Sequence, residues 1–406
     1  MKFEQTYIPY GGYWSTPFAR WQGSLAQQHP IQLAAAITRS ALAERGIDAK
    51  DFQALFLGTT VPSPQSFYGA PWLAGLIGNP DISGPTVMQA CATSARIIAD
   101  AAVEVDAASG ADCILAIAAD RTSNGPHIYY PDASGPGGRG VTEDWVWDNF
   151  QNDPFAQAGP MAATAENVAE AEGISREEQD EVTLLRYEQY AADRTADGNG
   201  FLSRYLVPVE LGDPSGRKVI GRLNDDEGIF PTTAEGLARM KPVRDGGTVT
   251  YGSQTHPADG NCGLVLAGRK RARDLSRDRS VEVQLLSFGQ ARVKAGFMPT
   301  APVPAARAAL AAAGLGIEDM AAVKTHNPFA VNDVYFSREF DLPLDSFNNH
   351  GSSLVFGHPQ GPTGMRLLIE LVEELAERGG GRGLFSGCAA GDTGAALVVK
   401  VDCGGR

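Results

Sequence analysis

Apolar positions along this chain alternate between two rhythms. From Leu33 to Arg45 they recur at three- and four-residue intervals, then a turn at Gly46-Ile47-Asp48 leads into the short apolar run Ala54-Leu55-Phe56-Leu57. The first rhythm predicts a helix and the second a buried strand. The plan returns downstream as a helix from Val303 to Ala313, a turn at Gly316-Ile317-Glu318 and a strand from Ala321 to Thr325. It returns again after Cys91, where Ile97, Ile98, Ala101, Ala102 and Val105 predict a helix matched by one from Gly364 to Arg378. The strands that follow these two helices are Cys113–Ile117 and Gly383–Gly387. One spacing separates Ile47 from Ile317, Arg96 from Arg366 and Ile114 from Leu384. A single offset held through helix, turn and strand marks a duplicated α/β unit. Strands separated by helices predict largely parallel sheets covered by helices.

Residues 121–247 break the repeat. They are rich in Gly, Pro, Asp and aromatics over 124–155 and then turn helical, with Ser175 and Glu178 spaced as a capping box. Two readings stand: an insertion that covers the mouth of a site, or an independent domain. Strand character resumes at Thr248–Tyr251 and Gly263–Leu266. The expected organisation is a first half over 1–120 completed by 248–270, an inserted segment over 121–247, and a second half over 271–406. The charge run from Arg269 to Arg279 reads as a solvated connecting helix. Gly379–Gly383 precedes a strand rather than opening a helix, so it reads as a helix-to-strand turn and not a phosphate loop.

Composition narrows the class. The 406 residues carry 43% hydrophobic positions and a formal charge of −14, which suits a globular protein and argues against a general nucleic-acid binder. Five widely spaced cysteines form no disulfide framework, and no Cys-x-x-Cys or close His pair suggests a metal site. The first residues lack the apolar core of a signal peptide and no stretch reaches membrane-span length. A cytoplasmic protein without membrane or nucleic-acid partners is expected.

Candidate chemistry gathers at strand-to-helix corners. Cys91 ends a β-prone run and opens a helix, with the small residues Ala90, Ala92, Thr93 and Ser94 leaving room around its sulfur. A helix N-terminus there favours a thiolate. On residue type alone Cys91 also fits a buried core position. His326, His358 and Cys388 occupy corresponding corners of the second unit, within Thr325-His326-Asn327-Pro328-Phe329, Gly357-His358-Pro359 and Gly387-Cys388-Ala389-Ala390-Gly391. Ligands of open α/β folds collect at such carboxyl ends of strands. Two cysteines and two histidines at these corners favour a catalytic site.

In this ordered set the sequence resembles the thiolase family over nearly its whole length. The matching pieces are the stretch around Cys91, Met161-Ala-Ala-Thr164-Ala-Glu166-Asn167, Ser175–Asp180, Met240–Val243 with Gly246–Thr250, Ala258–Gly260, Gly357-His358-Pro-x-Gly-x-x-Gly364 and the Cys388 corner. The resemblance implies duplicated five-stranded α/β halves in an α/β/α/β/α layering with an inserted loop domain. It implies that Cys91 carries the acyl group, His358 takes the thiol proton and Cys388 handles a second proton at the carbon. The backbone N–H groups of Cys91 and Ala390 would form one oxyanion hole, and His326 and His358 would serve another. Coenzyme A and acyl-CoA would be substrates, with no permanently bound cofactor and no metal, and a homodimer or homotetramer would be expected.

Three departures from the family pattern bear on substrate. His326-Asn327-Pro328-Phe329 stands where the common motif is Asn-Glu-Ala-Phe, so an imidazole replaces an amide near the enolate oxygen. Gln254-Thr255-His256 replaces Ala-Ser-Gly in the pantetheine loop, leaving Thr255 to offer a hydroxyl, and Pro160 replaces a histidine. Met161 and Phe329 are further substrate-contact candidates. Arg217, Lys218 and Arg222 are candidates for the CoA phosphates, or else ordinary surface charges. The aromatic loop 128–150 is a subunit contact or a self-packed loop. A ketoacyl synthase shares the fold, but Cys388 argues against it. A non-catalytic acyl-CoA carrier, or a subunit dependent on a small accessory partner, has no need for Cys91, His358 and Cys388 together.

Overall fold

The computed structural model describes residues 1–107, 111–134, 138–156, 159–194, 200–212 and 218–404. The first half runs β1 (Thr6–Ile8), α1 (Pro30–Arg45), β2 (Ala54–Gly58), α2 (Gly69–Ile77), β3 (Thr86–Val87), α3 (Thr93–Asp106) and β4 (Cys113–Arg121). Helices α4 (Met161–Glu172) and α5 (Arg176–Ala192) lie in the middle of the chain, before the long strand β5 (Ala258–Gly268). The second half runs β6 (Val281–Arg292), α6 (Pro302–Ala313), β7 (Ala322–His326), α7 (Ala330–Phe340), α8 (Gln360–Glu377), β8 (Gly380–Ala389) and β9 (Thr393–Cys403).

Strand order is β3–β2–β4–β5 in one half and β7–β8–β9–β6 in the other, and β1 pairs antiparallel with both β5 and β6, joining them edge to edge. Beside β7, where β3 lies in the first half, no strand pairs among the described residues, and Asn348 (φ +56°) donates its N–H to Val323 O at 3.1 Å. Helices α1 and α2 cover one sheet, α6 covers the other, and α3 and α8 pack against each other between the two. Central position explains the burial of α8: every residue from Gly361 to Leu375 is buried, Arg366, Glu370, Glu373 and Glu374 among them, and these charges are paired where the helix is covered. Ile97 and Ile98 of α3 share one core with Leu367, Leu368 and Leu371 of α8.

The sheets are mixed rather than largely parallel. β2 runs parallel to β3 and β4, and β7 to β8, but β4–β5, β8–β9 and β9–β6 are antiparallel. For β8–β9 connection length decides this, because the two strands are joined by the tight turn Ala390-Gly391-Asp392 and a short loop cannot cross over to a parallel partner. Thr248–Tyr251 is a loop, not a strand. Glu166 accepts the backbone N–H groups of Thr248 and Val249 at 2.9–3.0 Å, so the ladder bonds a strand would need go to one carboxylate. The glycine run is shorter as a turn than expected, since β8 already begins at Gly380. Ser175 and Glu178 form the expected capping box of α5, and the charge run opens as a short helix, Arg269–Leu275. Among the described residues no helix is long and apolar enough to cross a membrane.

Candidate active site

Cys91 sits at a tight corner between β3 and α3. Ala90 before it holds φ +44°, a left-handed conformation costing a non-glycine residue about 1–2 kcal/mol. Such strain aims a side chain where a relaxed turn would not. His358 follows Gly357 (φ +88°), and its ring is set by the first turn of α8. Thr363 Oγ1 donates to Pro359 O at 2.7 Å and lies 2.8 Å from His358 Nδ1. The hydroxyl proton is thereby spent on the carbonyl, so Nδ1–H donates to Thr363. That leaves the Nε2 lone pair 3.1 Å from Cys91 Sγ. The imidazole is aligned to take the thiol proton.

Burial sets the resting charge of the pair. It pushes the Cys91 thiol up to about 11, opposed by the backbone N–H groups of Ala390 and of Cys91 itself. It pulls His358 down to about 3. The resting pair is therefore neutral thiol beside neutral imidazole, and the helix N-terminus does not produce the thiolate expected from sequence: desolvation outweighs it. The same two N–H groups aimed at the sulfur are those the sequence reading placed in an oxyanion hole.

Cys388 lies buried at the end of β8, where Asn332 Nδ2 donates to its sulfur at 3.4 Å. Desolvation, and then the neighbouring Cys91, raise its thiol far above the usual range. His326, at the end of β7, is buried with its ring centroid 4.1 Å from that of His358. The Cys91 sulfur and one nitrogen from each of these histidines lie within 4.8 Å of one another. His326 Nδ1 is 2.8 Å from Ser353 Oγ, while Nε2 is buried with no hydrogen-bond partner among the described residues. Ser353 also stands 3.1 Å from Asn327 Oδ1. Its single proton goes either to Asn327, making His326 Nε2 a lone pair, or to Nδ1, making Nε2–H a donor. Burial and the adjacent His358 keep the His326 ring neutral in either case.

A carboxylate that sequence reading passed over braces this cluster. Asp120, buried at the end of β4, accepts from Thr60 N at 2.6 Å, Thr60 Oγ1 at 2.8 Å and Gly361 N at 2.6 Å. A Cβ on Gly361 would stand 2.8 Å from Asp120 Oδ2, so the contact needs glycine. Thr363, Ser353 and Asn332 were also missed. Their only sequence signal is nearness to His358, His326 and the Asn327-Pro328 turn.

Of the substrate-contact candidates, Phe329 and Met161 join Cys388 in one apolar cluster. Thr255 donates its hydroxyl to Ser353 O at 2.6 Å, so the proton expected for pantetheine is already engaged. Lys218 and Arg222 are exposed at a two-stranded antiparallel pair, Val209–Gly212 with Val219–Leu223. Arg217 lies outside the described residues.

Fold and site together fit an acyltransferase built on a duplicated α/β unit. Family models for the thiolase N-terminal domain and thiolase C-terminal domain match residues 13–270 and 280–401. The chain belongs to the thiolase family. It is 31% identical over 397 residues to 3-oxoadipyl-CoA/3-oxo-5,6-dehydrosuberyl-CoA thiolase of Escherichia coli, covering 95% of this chain and 97% of that one. It is 29% identical to an acetyl-CoA acetyltransferase of Pseudomonas aeruginosa, with the same coverage. Among solved structures, a Bacillus anthracis acetyl-CoA acetyltransferase superposes with TM-score 0.88 at 27% identity, covering 98% of this chain and 99% of that one. Human mitochondrial 3-ketoacyl-CoA thiolase in complex with CoA superposes with TM-score 0.86 at 26% identity, covering 98% of each chain.

Proposed function

We propose that this enzyme cleaves a 3-oxoacyl-CoA with coenzyme A to acetyl-CoA and a shortened acyl-CoA, or runs the reverse Claisen condensation, through an acyl-Cys91 intermediate. The observation that carries this reading is the Thr363–His358–Cys91 relay with a second thiol, Cys388, beside it. His358 Nε2 takes the Cys91 proton as the sulfur attacks the 3-oxo carbonyl. The bond between carbons 2 and 3 breaks, and its electrons pass to the enolate of acetyl-CoA. Cys388 protonates that carbon, with His326 and protonated His358 as donors to the enolate oxygen. The Cys388 thiolate then takes the proton of an incoming CoA thiol, whose sulfur attacks acyl-Cys91. His358 returns its proton to the leaving Cys91 sulfur. The N–H groups of Cys91 and Ala390 hold the tetrahedral oxyanion, each such donor being worth about 3–4 kcal/mol.

In this reading the 121–247 segment is an inserted domain that carries CoA, with Lys218, Arg222 and Arg217 toward its phosphates and Met161, Thr255 and Phe329 along the acyl-pantetheine path. CoA is a substrate, not a resident cofactor. Five free cysteines, one of them the nucleophile, support a reducing cytoplasmic setting. Edge strand β3 beside exposed Phe67, Tyr68 and Met88 supports a homodimer or homotetramer, with the exposed aromatics Tyr129, Tyr130 and Trp147, on a strand and a short helix rather than a loop, as a second contact.

The test is intact mass after incubation with acetyl-CoA. Wild type and Cys388→Ala should each gain one acetyl group, Cys91→Ala none, and Cys388→Ala should fail to condense or cleave. An acetylated Cys91→Ala protein, or a wild type left unmodified by both acetyl-CoA and 3-oxoacyl-CoA, would overturn the reading.

A further inference from the structure

We propose that Cys91, His326 and His358 form a three-ligand site for a thiophilic divalent cation, Zn²⁺ above all, which caps the nucleophile reversibly. Zinc takes thiolate sulfur at about 2.3 Å and imidazole nitrogen at about 2.0–2.1 Å in a tetrahedron, so its ligands stand within a few ångströms of each other. Here the Cys91 sulfur is 3.1 Å from His358 Nε2, and all three ligand atoms lie within 4.8 Å. A second observation points the same way. His326 Nε2 is a buried nitrogen with no hydrogen-bond partner among the described residues, in the ring packed against His358.

Both rings are also turned as ligands require. A metal-bound imidazole usually donates its other N–H to an acceptor, which fixes the ring and its tautomer. His358 donates Nδ1–H to Thr363, and His326 Nδ1 faces Ser353, which has Asn327 Oδ1 to receive its own proton. The fourth corner is left for water. His326 makes the site, because the amide of the common Asn-Glu-Ala-Phe motif offers no imidazole nitrogen. On binding, Zn²⁺ replaces the thiol proton of Cys91, which leaves to solvent, and forms bonds to one sulfur and two nitrogens while shedding bound waters. No oxidant or reductant is needed. The capped sulfur cannot attack a carbonyl, so the cation acts as a reversible inhibitor competing with acyl-CoA.

Co²⁺ is the probe, added to chelator-treated full-length protein while following the near-ultraviolet thiolate-to-cobalt band. One equivalent should bind with that band, Zn²⁺ should displace it, Cys91→Ala should lose the band, and His326→Asn should bind at least about tenfold more weakly. Far-ultraviolet circular dichroism confirms that both variants fold, and His326→Gln replaces His326→Asn if that variant does not. A missing band in wild type, or equal binding by wild type and the position-326 variant, overturns the proposal. Acylation measured without metal is a separate readout, so failure of the thiolase reading and failure of the metal site are distinguishable.

Discussion

The two halves close the same antiparallel hairpin in opposite ways. In the second half β8 turns into β9 through Ala390-Gly391-Asp392, and in the first half the corresponding pair β4–β5 is separated by residues 122–257. The short turn carries chemistry: it brings the Ala390 N–H to Cys91 and leaves Cys388 at its base. Asp120, at the repeat position of Ala390, is spent instead on bracing loops 59–61 and 361. A similar asymmetry marks the central helices. Arg96 pairs with Asp100 and Arg366 with Glu370, both at four-residue spacing, but the first arginine keeps 27% of its side-chain surface and the second keeps none. Asp226, from the long excursion, makes the difference. It grips Arg366 through two bonds of 2.6 and 2.7 Å and also receives Tyr190 and the backbone of Phe18. Duplication supplied one plan, and the excursion from the first half is fastened to the helix that presents His358 in the second.

Breaking that fastening should have the largest effect. Arg366→Ala leaves Asp226 buried without its cation and Glu370 with only Lys324 at 4.0 Å, a change that typically costs about 3–5 kcal/mol. Arg96→Ala removes a partly solvated pair and should cost under about 1 kcal/mol. Urea titration of both variants reads the difference directly. Equal midpoints would mean that the excursion is not anchored at Arg366.

The catalytic contrast is next in size. The first half contributes the Cys91 sulfur, and the second contributes both imidazoles and the other thiol. His326→Ala should lower turnover about a hundredfold by removing one donor, whereas His326→Asn should keep measurable turnover because an amide N–H restores it. Steady-state kinetics with a 3-oxoacyl-CoA separates the two, and unchanged kinetics in His326→Ala would remove this residue from the reaction.

The repeat was legible because Ile47 and Ile317, or Arg96 and Arg366, keep one offset through elements that obey local rules. The corners holding Cys91, His326, His358 and Cys388 followed from it. What stayed hidden depends on contacts distant in sequence. Thr248–Tyr251 has the β-branched composition of a strand, yet Glu166, far earlier in the chain, claims its N–H groups. Thr255 reads as a free hydroxyl until Ser353 O is placed beside it. Nor does local sequence give desolvation, which is why the helix N-terminus at Cys91 suggested a thiolate when burial keeps a thiol.

That last contrast yields the smallest and most discriminating effect. A free thiol near pKa 8.5 levels off in alkylation above about pH 9, and a thiolate–imidazolium pair reacts at one rate across neutral pH. Neither fits a Cys91 pushed up to about 11 beside a His358 pulled down to about 3. Falling pH does not protonate His358 in the usual histidine range, so no limb should appear near about 6.5. Rising pH populates the thiolate steadily, so iodoacetamide labelling of Cys91 should climb about tenfold per pH unit from neutrality and show no plateau near about 8.5. His358→Ala should leave that slope in place, because the raised value comes from burial and not from the imidazole. A flat profile from pH 6 to 8 would instead mean that the second half's histidine already holds the first half's proton at rest.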